Sequence, residues 1–426
     1  MKKFGFRQLM VFIILSATVG LCYLLPYLRY TFYDQMMGAL MINDAQMGIL
    51  TSVIGFTCMP CYILGGFFAN KFSTRNLICI TLIGFAAVTV WYAFTTDFIQ
   101  LIIIFVLYGF FTTATVWSAY LSGIRNLGDE SNQSKLFGSS EATRGITQTL
   151  LGFAFLGIMG VAATPTFGFR AVLLTGAGIT LLLLVLALIF LPKEEKKSKD
   201  EFQEEIKREE EKYSLLDVIK SKSVWITILV LGCAYLSWAI GNNFITTYTV
   251  RVVGIDDSLA TAIGIIRSYV IVVVGGFFGG WLLDKFTYKG TGFVVLFAIV
   301  AASILGIIFT SALIPLCVAL TLVIAFVNNI MKSTVWSIMG QSGIPIKMTA
   351  LATGFISITA FILPDIVAPM VGGLWLEEAT LAGDVAVGFY KIFACVFIFA
   401  IIGIVGGIIL KRRTQKLEAE GIAIEG

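Results

Sequence analysis

The sequence contains no histidine and few charged residues of either sign. Charged side chains make up 13% of the 426 residues, whereas hydrophobic residues make up 58%, and the mean hydropathy is +0.92. A soluble protein of this size could not bury so much apolar surface. Without histidine the chain lacks the commonest metal ligand and the easiest proton shuttle near neutral pH. The composition predicts a polytopic membrane protein, and we expect neither a metal nor a cofactor.

Three signatures of nucleotide-driven or enzymatic chemistry are also missing: a Walker phosphate loop, a dinucleotide-binding fingerprint and a nucleophile elbow. Their absence argues against an ATP-driven pump and an ordinary enzyme, and nothing indicates a nucleic-acid partner. The seven cysteines lie inside apolar runs, so we interpret even the Cys58-x-x-Cys61 pair as packing residues. No small-residue cleavage site follows the first apolar run, which we expect to be retained as a span.

The chain does contain a series of apolar runs of about twenty residues, the length that a membrane-spanning helix needs. Because lipid offers no hydrogen bonds to the backbone, such runs must be helices. We predict an all-α membrane protein with twelve transmembrane helices. The spans of the first half cover residues 8–33, 48–70, 77–95, 98–122, 138–162 and 169–191. Those of the second half cover residues 223–249, 259–283, 292–311, 313–338, 349–373 and 386–410.

A charged stretch at residues 193–222 separates the two halves. It cannot cross a bilayer, because one charge costs about 2.5–3.5 kcal/mol at the centre of a spanning helix. We interpret it as a cytoplasmic linker between six-helix bundles at residues 1–192 and 223–411, with a tail at 412–426. Lysine and arginine concentrate in alternate loops, which predicts that both termini are cytoplasmic. We expect a monomeric, multi-pass protein of the cytoplasmic membrane, in contact with the lipid bilayer.

The two halves repeat short sequences at equivalent spans. Thr-Val-Trp-Ser closes the fourth span at residues 115–118 and the tenth span at residues 334–337. Tyr-Leu occurs at residues 23–24 in the first span and at 235–236 in the seventh. The similar offsets favour duplication of a six-span unit. Two such halves with a substrate site between them near mid-membrane are a known plan of secondary transporters.

A loop motif that follows the second span recurs after the eighth. Its residues are Gly66, Asn70, Lys71 and Arg75 in the first copy, and Gly280, Asp284 and Lys285 in the second. Both copies resemble the cytoplasmic loop motif of the major facilitator superfamily, although Asn70 replaces the acid of the motif. The resemblance implies two pseudo-symmetric six-helix bundles and a loop that latches one transport conformation. On physical grounds we expect the motif glycines to let two helices approach closely.

A second resemblance lies in the first span. The run from Tyr23 to Arg29 is similar to the first span of the organic-anion and organophosphate porters of that superfamily, which carry an arginine after a tyrosine-rich turn. Their second arginine, expected in the seventh span, has no counterpart between Trp238 and Asn243. The resemblance covers the whole chain in topology and short segments in motif.

Ionisable residues inside spans are costly in lipid and mark functional sites. Bases outnumber acids in this set, and arginine binds carboxylate, sulfonate or phosphate in bidentate geometry. The candidate bases are Arg29, Arg144, Arg267 and Lys332. The candidate proton carriers are Glu141, which can pair with Arg144 three residues on, and Asp365. Arg267 lies too deep to reach the membrane surface, and the anion hypothesis depends most on it.

We therefore hypothesise a secondary transporter that moves a small organic anion by alternating access, as proton symport or anion exchange. Aromatic and amide side chains would complete the substrate cavity. They are Tyr23, Tyr27, Trp117 and Trp336, which would line it, and Asn242 and Asn243, which would hydrogen-bond the substrate. One alternative is a proton-coupled porter of a neutral sugar or nucleoside, with Glu141 or Asp365 carrying the proton. Another is a non-transporting membrane sensor that signals through the linker.

Overall fold

A computed structural model describes residues 5–128, 133–193, 214–345 and 348–421. Within those ranges the backbone forms helices and turns and no strand. The chain divides into two compact units, Met1–Phe202 and Gln203–Gly426. Each unit is a bundle of long apolar helices, as expected when hydrogen bonds must be satisfied inside each segment.

The first unit contains six long helices, named α1 to α6. They are Phe6–Cys22, Asp44–Lys71, Thr74–Phe94, Phe98–Arg125, Gln133–Val161 and Pro165–Phe190. The second unit also contains six, named α7 to α12. They are Lys222–Arg251, Asp257–Ile265 continued by Ile266–Val270 and Ile271–Leu283, Lys289–Phe309, Ile314–Thr334, Thr349–Ser357 continued by Ile358–Ile362 and Leu363–Leu381, and Val385–Ala419.

These helices account for the predicted spans. In the described part of the chain, ten are long and apolar enough to cross a membrane, and a bent pair that includes α2 makes an eleventh. The twelfth, α1, has 17 residues, which is near the lower limit for a span. The apolar side chains that remain exposed, such as Phe94 and Leu182, are those expected of a surface in contact with lipid.

The first predicted span, residues 8–33, is not one helix. Helix α1 ends at Cys22, and a 3-10 helix follows at Leu25–Tyr30. Pro26 explains the break, because proline lacks an N–H donor and disfavours α-helical geometry in the residue before it. A short helix at Tyr33–Leu40 then meets the start of α2 at a bend of 103°. The second span consequently begins at Asp44, four residues before the predicted position at 48.

The described end of the predicted linker is structured. Ser214 caps a short helix at Leu215–Lys220 and exchanges hydrogen bonds with Asp217. Val218 in this helix is fully buried, and the Trp225 indole donates to the Ile219 carbonyl at 2.7 Å. Residues 194–213, most of the linker, lie outside the described residues. The proposed linker boundaries therefore stay a prediction, with the part after Ser214 packed on the second unit.

Three helices contain a wide π-helical turn. These turns lie at Phe111–Trp117 in α4, Ile266–Val270 in α8 and Ile358–Ile362 in α11. The first contains most of one Thr-Val-Trp-Ser copy, and the second copy lies at a 3-10 turn, Val335–Ser337, after α10. Wide turns of this kind are frequent at functional sites. Both copies of Thr-Val-Trp-Ser thus lie where the regular α-helix is interrupted.

Close helix approaches occur one residue before each motif glycine. A Cβ atom built on Gly65 of α2 would lie 2.8 Å from the Ser118 Oγ and 3.0 Å from the Thr113 carbonyl of α4. In the second unit, a Cβ built on Gly279 of α8 would lie 2.5 Å from the Ser333 Oγ of α10. Such distances leave no room for a side chain. A side chain at Gly65 would therefore press on the backbone of α4, whereas at Gly279 the Ser333 hydroxyl would have to rotate away.

The motif glycines themselves leave room for an added Cβ atom. A Cβ built on Gly66 or Gly280 would meet no described atom within 4 Å. In this structure the close approaches are made by their neighbours Gly65 and Gly279, and the part of Gly66 and Gly280 in the latch stays a prediction.

A matched pair of substitutions separates these positions. We expect Gly65→Ala to destabilise the protein by about 1–3 kcal/mol, the usual cost of overpacking. Gly66→Ala should leave stability unchanged or raise it by up to about 1 kcal/mol, since alanine favours helix more than glycine does. Thermal unfolding in detergent measures both. Equal melting temperatures for the two variants would contradict the assigned contacts.

Candidate functional site

Aromatic rings form a connected cluster in the first unit. The Tyr23 ring stacks nearly parallel on Tyr27, with centroids 6.4 Å apart, and meets Trp117 edge-on at 5.9 Å. Trp117 in turn packs against Tyr120 at 5.7 Å, and Tyr27 packs against Tyr30 at 5.3 Å. The structure thus brings together three of the predicted cavity residues, Tyr23, Tyr27 and Trp117. They come from the end of α1, the following 3-10 helix and the wide turn of α4.

Arg144 lies beside this cluster and carries the predicted ion pair. Its guanidinium is 2.8 Å from the Glu141 carboxylate and 6.0 Å from the Tyr23 ring centroid. The Tyr120 hydroxyl also donates to Glu141, at 3.4 Å. Arg144 keeps 20% of its side chain exposed, and its Nε has no hydrogen-bond partner among the described residues. A cation with spare donors therefore lies against a wall of aromatic rings.

Arg29 has different surroundings, although it lies in the same unit. It is 1% exposed and donates to the Met47 carbonyl at 3.2 Å and to the Thr51 hydroxyl, both on α2. It also lies over the Tyr33 ring, 5.3 Å from the centroid, and the Tyr33 hydroxyl donates to Asp44 at 2.9 Å. These contacts tie the 3-10 helix to the start of α2. They favour a positioning role for Arg29 over direct contact with a substrate.

Arg267 in the second unit is buried without an acidic partner. It is 3% exposed, and its Nη2 donates to the Thr246 hydroxyl of α7 at 2.7 Å. Its Nε has no hydrogen-bond partner, and no carboxylate lies within 4 Å of it in the described part of the chain. The guanidinium sits in the wide turn of α8. It is therefore a buried cation whose donors the protein satisfies only in part.

Amide side chains surround this guanidinium. Arg267 lines a small cavity of about 10 Å³ together with Trp238, Asn242 and Asn328, among others. That volume holds about one water molecule, so the pocket is closed in this structure. Asn242 accepts from the Ser268 hydroxyl at 3.1 Å and donates to the Trp238 carbonyl at 3.1 Å.

Two further amide side chains in this unit, those of Asn243 and Asn328, differ in their hydrogen bonding. Asn243 donates to the Ala239 carbonyl at 2.7 Å, and its Oδ1 has no hydrogen-bond partner within the described residues. Asn328 accepts from the Ser237 hydroxyl at 2.9 Å.

Lys332 and Asp365 lie on either side of an aromatic pair. The Lys332 ammonium is 3.2 Å from the Trp238 ring centroid and 5.8 Å from that of Tyr235. The Tyr235 hydroxyl donates to the Asp365 carboxylate at 2.7 Å, and Lys332 interacts electrostatically with that carboxylate. Trp336 is 41% exposed and meets Phe361 edge-on at 5.5 Å. Asp365 is therefore a partnered acid, and its partners do not include Arg267.

The latch residues make local contacts in their own units. Arg75 donates to the Leu188 carbonyl at 2.6 Å, Lys71 lies 5.6 Å from the Phe67 ring centroid, and Lys285 lies 3.5 Å from that of Trp281. Asp284 is exposed at the C-terminal end of the last segment of α8. The side chain of Asn70 lies outside the described part of the structure. The latch itself stays a prediction.

Asp284 offers a direct test of that latch. An acid at the C-terminal end of a helix is opposed by the helix dipole, by about 0.3–1 kcal/mol, so Asp284→Asn should not destabilise the protein. We expect it to slow transport while equilibrium substrate binding changes less. Uptake and exchange rates in proteoliposomes measure this, with the exposed Asp384→Asn as matched control. Unchanged rates in Asp284→Asn would count against the latch.

Three contacting residues were not predicted to belong to the site: Tyr120, Tyr235 and Trp238. A spacing signal existed for two of them, because Trp238 precedes Asn242 by four residues and Tyr120 follows Trp117 by three, the spacings of one helical face. Tyr235 appeared in the sequence only as part of a repeat. Its bond to Asp365 joins α7 to α11, which no local spacing indicates.

Comparisons with known proteins agree with this architecture. The family model of the Major Facilitator Superfamily matches residues 9–369. Inner membrane protein YihN of Escherichia coli (strain K12) is 23% identical over 423 residues, 97% of this chain and 98% of that protein. A bacterial homolog of the human lysosomal transporter Spinster, in an inward-facing and unoccupied conformation, has a similar structure, with a TM-score of 0.74, 16% identity and coverage of 97% and 98%. The structure of a D-xylose–proton symporter gives a TM-score of 0.70, 15% identity and coverage of 95% and 96%.

The structural matches show a shared fold at low sequence identity. They confirm the predicted all-α class with two pseudo-symmetric six-helix bundles. The family model spans most of the chain and includes both copies of the loop motif. The chain therefore belongs to the Major Facilitator Superfamily of membrane transporters.

Proposed function

We propose that this transporter moves a small organic anion, a carboxylate, sulfonate or phosphate ester, across the cytoplasmic membrane by alternating access. The observation that carries the proposal is Arg267, a buried guanidinium that, among the described residues, has one hydrogen bond, to Thr246, and no acid beside it. Burying an unpaired cation is costly, so such a residue is retained where a partner arrives from outside the fold. An anionic substrate would supply that partner.

The surroundings of Arg267 support an anion further. The polar groups around it on α7 and α10 are the amides of Asn242, Asn328 and Asn329 and the hydroxyl of Thr246, which can hydrogen-bond oxygen atoms without adding negative charge. Lys332 supplies a second cation to the same region of the second unit, since it stacks on Trp238, which also lines the Arg267 cavity. The cavity is closed here, so we propose that substrate enters a more open conformation of these helices.

The first unit contributes a second group of proposed contacts. Arg144 retains an exposed fraction and an unfilled Nε donor next to Tyr23. Aromatic rings such as Tyr27 and Trp117 offer flat apolar faces. We assign Arg144 to neutralising the substrate and the rings to packing against its carbon skeleton. Arg29 would position this group through its bonds to α2.

Ligand-induced stabilisation tests the substrate class directly. A ligand that binds the native state raises the free energy of unfolding by mass action, by about 2.7 kcal/mol at 100 times its Kd, and the melting temperature rises with it. Glucose, glucuronate and glucose 6-phosphate form a matched set that differs mainly in charge, and a wider panel adds short carboxylates and sulfonates. We expect stabilisation by an anion and none by its neutral analogue. Stabilisation by glucose alone would overturn the anion assignment.

Uptake into proteoliposomes then separates transport from sensing. Radiolabelled uptake of the stabilising anion, in the presence and absence of a pH gradient, distinguishes proton symport from anion exchange. Exchange should proceed without a gradient but require the anion inside the vesicles. A purified protein that binds the anion and never moves it would support the sensor alternative.

A second candidate function rests on the partners of Asp365. This carboxylate is held by Tyr235 and lies close to Lys332, an arrangement that could carry a proton in a porter of a neutral solute. The fold is shared with a D-xylose–proton symporter. The stabilisation panel decides between the two, because a neutral-solute porter would respond to sugars or nucleosides without a charged group.

A further inference from the structure

One cavity in the first unit is lined by none of the proposed substrate-contacting residues. Its volume is about 270 Å³, and it opens between the start of α1, the start of α3 and the ends of α4 and α6. All four of these helix ends belong to the first unit. The positive-inside pattern predicts that this end of the bundle is cytoplasmic. Of its lining residues only Arg75 also belongs to the predicted latch, and none is a proposed substrate contact.

Two arginines at the cavity are fixed in place by the end of α6. Arg7 donates from Nε to the Phe190 carbonyl at 3.1 Å, and Arg75 donates from Nη2 to the Leu188 carbonyl at 2.6 Å. The last carbonyls of a helix have no partner within the helix, so these bonds satisfy them. Each guanidinium has five N–H donors. Neither has a carboxylate within 4 Å in the described ranges, so most donors remain available.

The interior of the cavity is apolar. Val11 and Leu15 of α1 line one side, and Leu127 and Leu191 line the other. Next to it, Phe6 is 72% exposed and packs edge-on against Phe190 at 6.0 Å. An exposed aromatic ring at the end of apolar helices is typical of the membrane interface. The site therefore combines a pair of cations, an apolar interior and a place at the level of lipid headgroups.

We propose that this cavity binds the headgroup of an anionic phospholipid, with Arg7 and Arg75 holding the phosphate. Basic pockets between membrane helices bind anionic headgroups in this way. The volume suits a headgroup and its glycerol rather than a whole lipid, so the acyl chains would lie along the exposed apolar surface outside. A soluble phosphate would gain the charge contacts but leave the apolar walls unfilled.

Two variants and one control test the proposal. The double substitution Arg7→Gln with Arg75→Gln removes both charges. Asn126→Trp narrows the cavity and keeps both arginines, since Asn126 lines it and is exposed. Arg412→Gln with Lys416→Gln is the matched control, because it removes two exposed positive charges from the other unit.

The measurement is the melting temperature of the purified full chain in neutral detergent, titrated with phosphatidylglycerol, phosphatidylcholine or inorganic phosphate. We expect phosphatidylglycerol to stabilise the unmodified protein and the control equally. The phosphatidylglycerol concentration that gives half of this shift should rise about 30-fold in the double arginine variant, because each lost charge costs about 1 kcal/mol of binding. The shift should be lost in Asn126→Trp. Phosphatidylcholine and inorganic phosphate should stabilise little.

Other outcomes would overturn the proposal. An equal shift with inorganic phosphate would identify a soluble-anion site, and an equal shift with phosphatidylcholine would remove the role of charge. An undiminished phosphatidylglycerol response in both variants would place the lipid elsewhere. None of these results depends on the identity of the transported substrate.

Discussion

Replacing Arg267 with alanine is expected to weaken binding of the transported anion at least about 100-fold. Truncating one member of a buried, hydrogen-bonded charge pair costs about 2–5 kcal/mol, and a factor of 100 corresponds to about 2.7 kcal/mol. The fold should survive, because within the described part of the chain the guanidinium has one hydrogen bond, to Thr246, and no ion pair to lose. The measurement is the concentration of the best stabilising anion needed for half of its thermal shift.

Arg267→Lys sharpens this test. Lysine keeps the charge but cannot reproduce the planar fork of donors. We expect the affinity of Arg267→Lys for the anion to lie between the affinities of the unmodified protein and of Arg267→Ala. Arg170→Ala is the control, since Arg170 is an exposed arginine at the start of α6. Anion-induced stabilisation that persists in full in Arg267→Ala would remove the main support for the anion hypothesis and favour the neutral-solute porter.

Replacing Asp365 with asparagine is expected to abolish the response to a pH gradient if transport is proton-coupled. With one proton per substrate, a gradient of one pH unit can drive about tenfold accumulation. Asparagine retains an oxygen that can accept from the Tyr235 hydroxyl but cannot titrate. Accumulation should therefore fall to the level without a gradient, while exchange of labelled for unlabelled substrate continues. Counterflow and gradient-driven uptake in the same vesicles give the two values.

Glu141→Gln is the companion variant for proton coupling. Glu141 pairs with Arg144 and is 44% exposed, so its substitution also frees a cation. Asp384→Asn, an exposed acid before α12, controls for general loss of charge. If Asp365→Asn and Glu141→Gln both keep the full gradient response, neither carboxylate carries the proton. Anion exchange, which needs no titrating group, would then be the transport mode.

The predictions from sequence that succeeded depend on local regularities. The number and class of helices follow from apolar runs of membrane length. The Glu141–Arg144 pair follows from a spacing of three residues on one helix. Tyr23 and Tyr27 do stack although α1 ends just before Tyr23, since four-residue spacing keeps the rings near each other through the 3-10 segment.

The predictions that failed or were never made involve contacts between distant segments. Lys332, Trp238 and Asp365 come from three helices, and no spacing within one helix brings them together. At the first loop motif α2 approaches α4 closely at Gly65 and not at Gly66, because a motif in the sequence marks a segment but not the face of the helix that meets a neighbour. Burial of Arg29 against α2 depends on the chain reversal after Pro26.

The wide turn at Ile266–Val270 changes the direction in which Arg267 points from α8. In a regular α-helix, at about 100° per residue, Arg267 and Gly279 would point about 120° apart. One additional residue taken up in the turn reduces this angle to about 20°. Arg267 thereby shares a stripe with Gly275 and Gly279, the glycines at which α8 touches Asn329 and Ser333 of α10.

Deleting one residue between 268 and 270 would restore a regular helix and keep the guanidinium on the glycine stripe, because eleven residues at about 100° each still leave Arg267 and Gly279 about 20° apart. Straightening the turn with all of its residues kept would instead rotate the guanidinium by about 100° relative to that stripe, away from the amides of α10. The wide turn, as much as the identity of residue 267, therefore sets the direction in which the charge points.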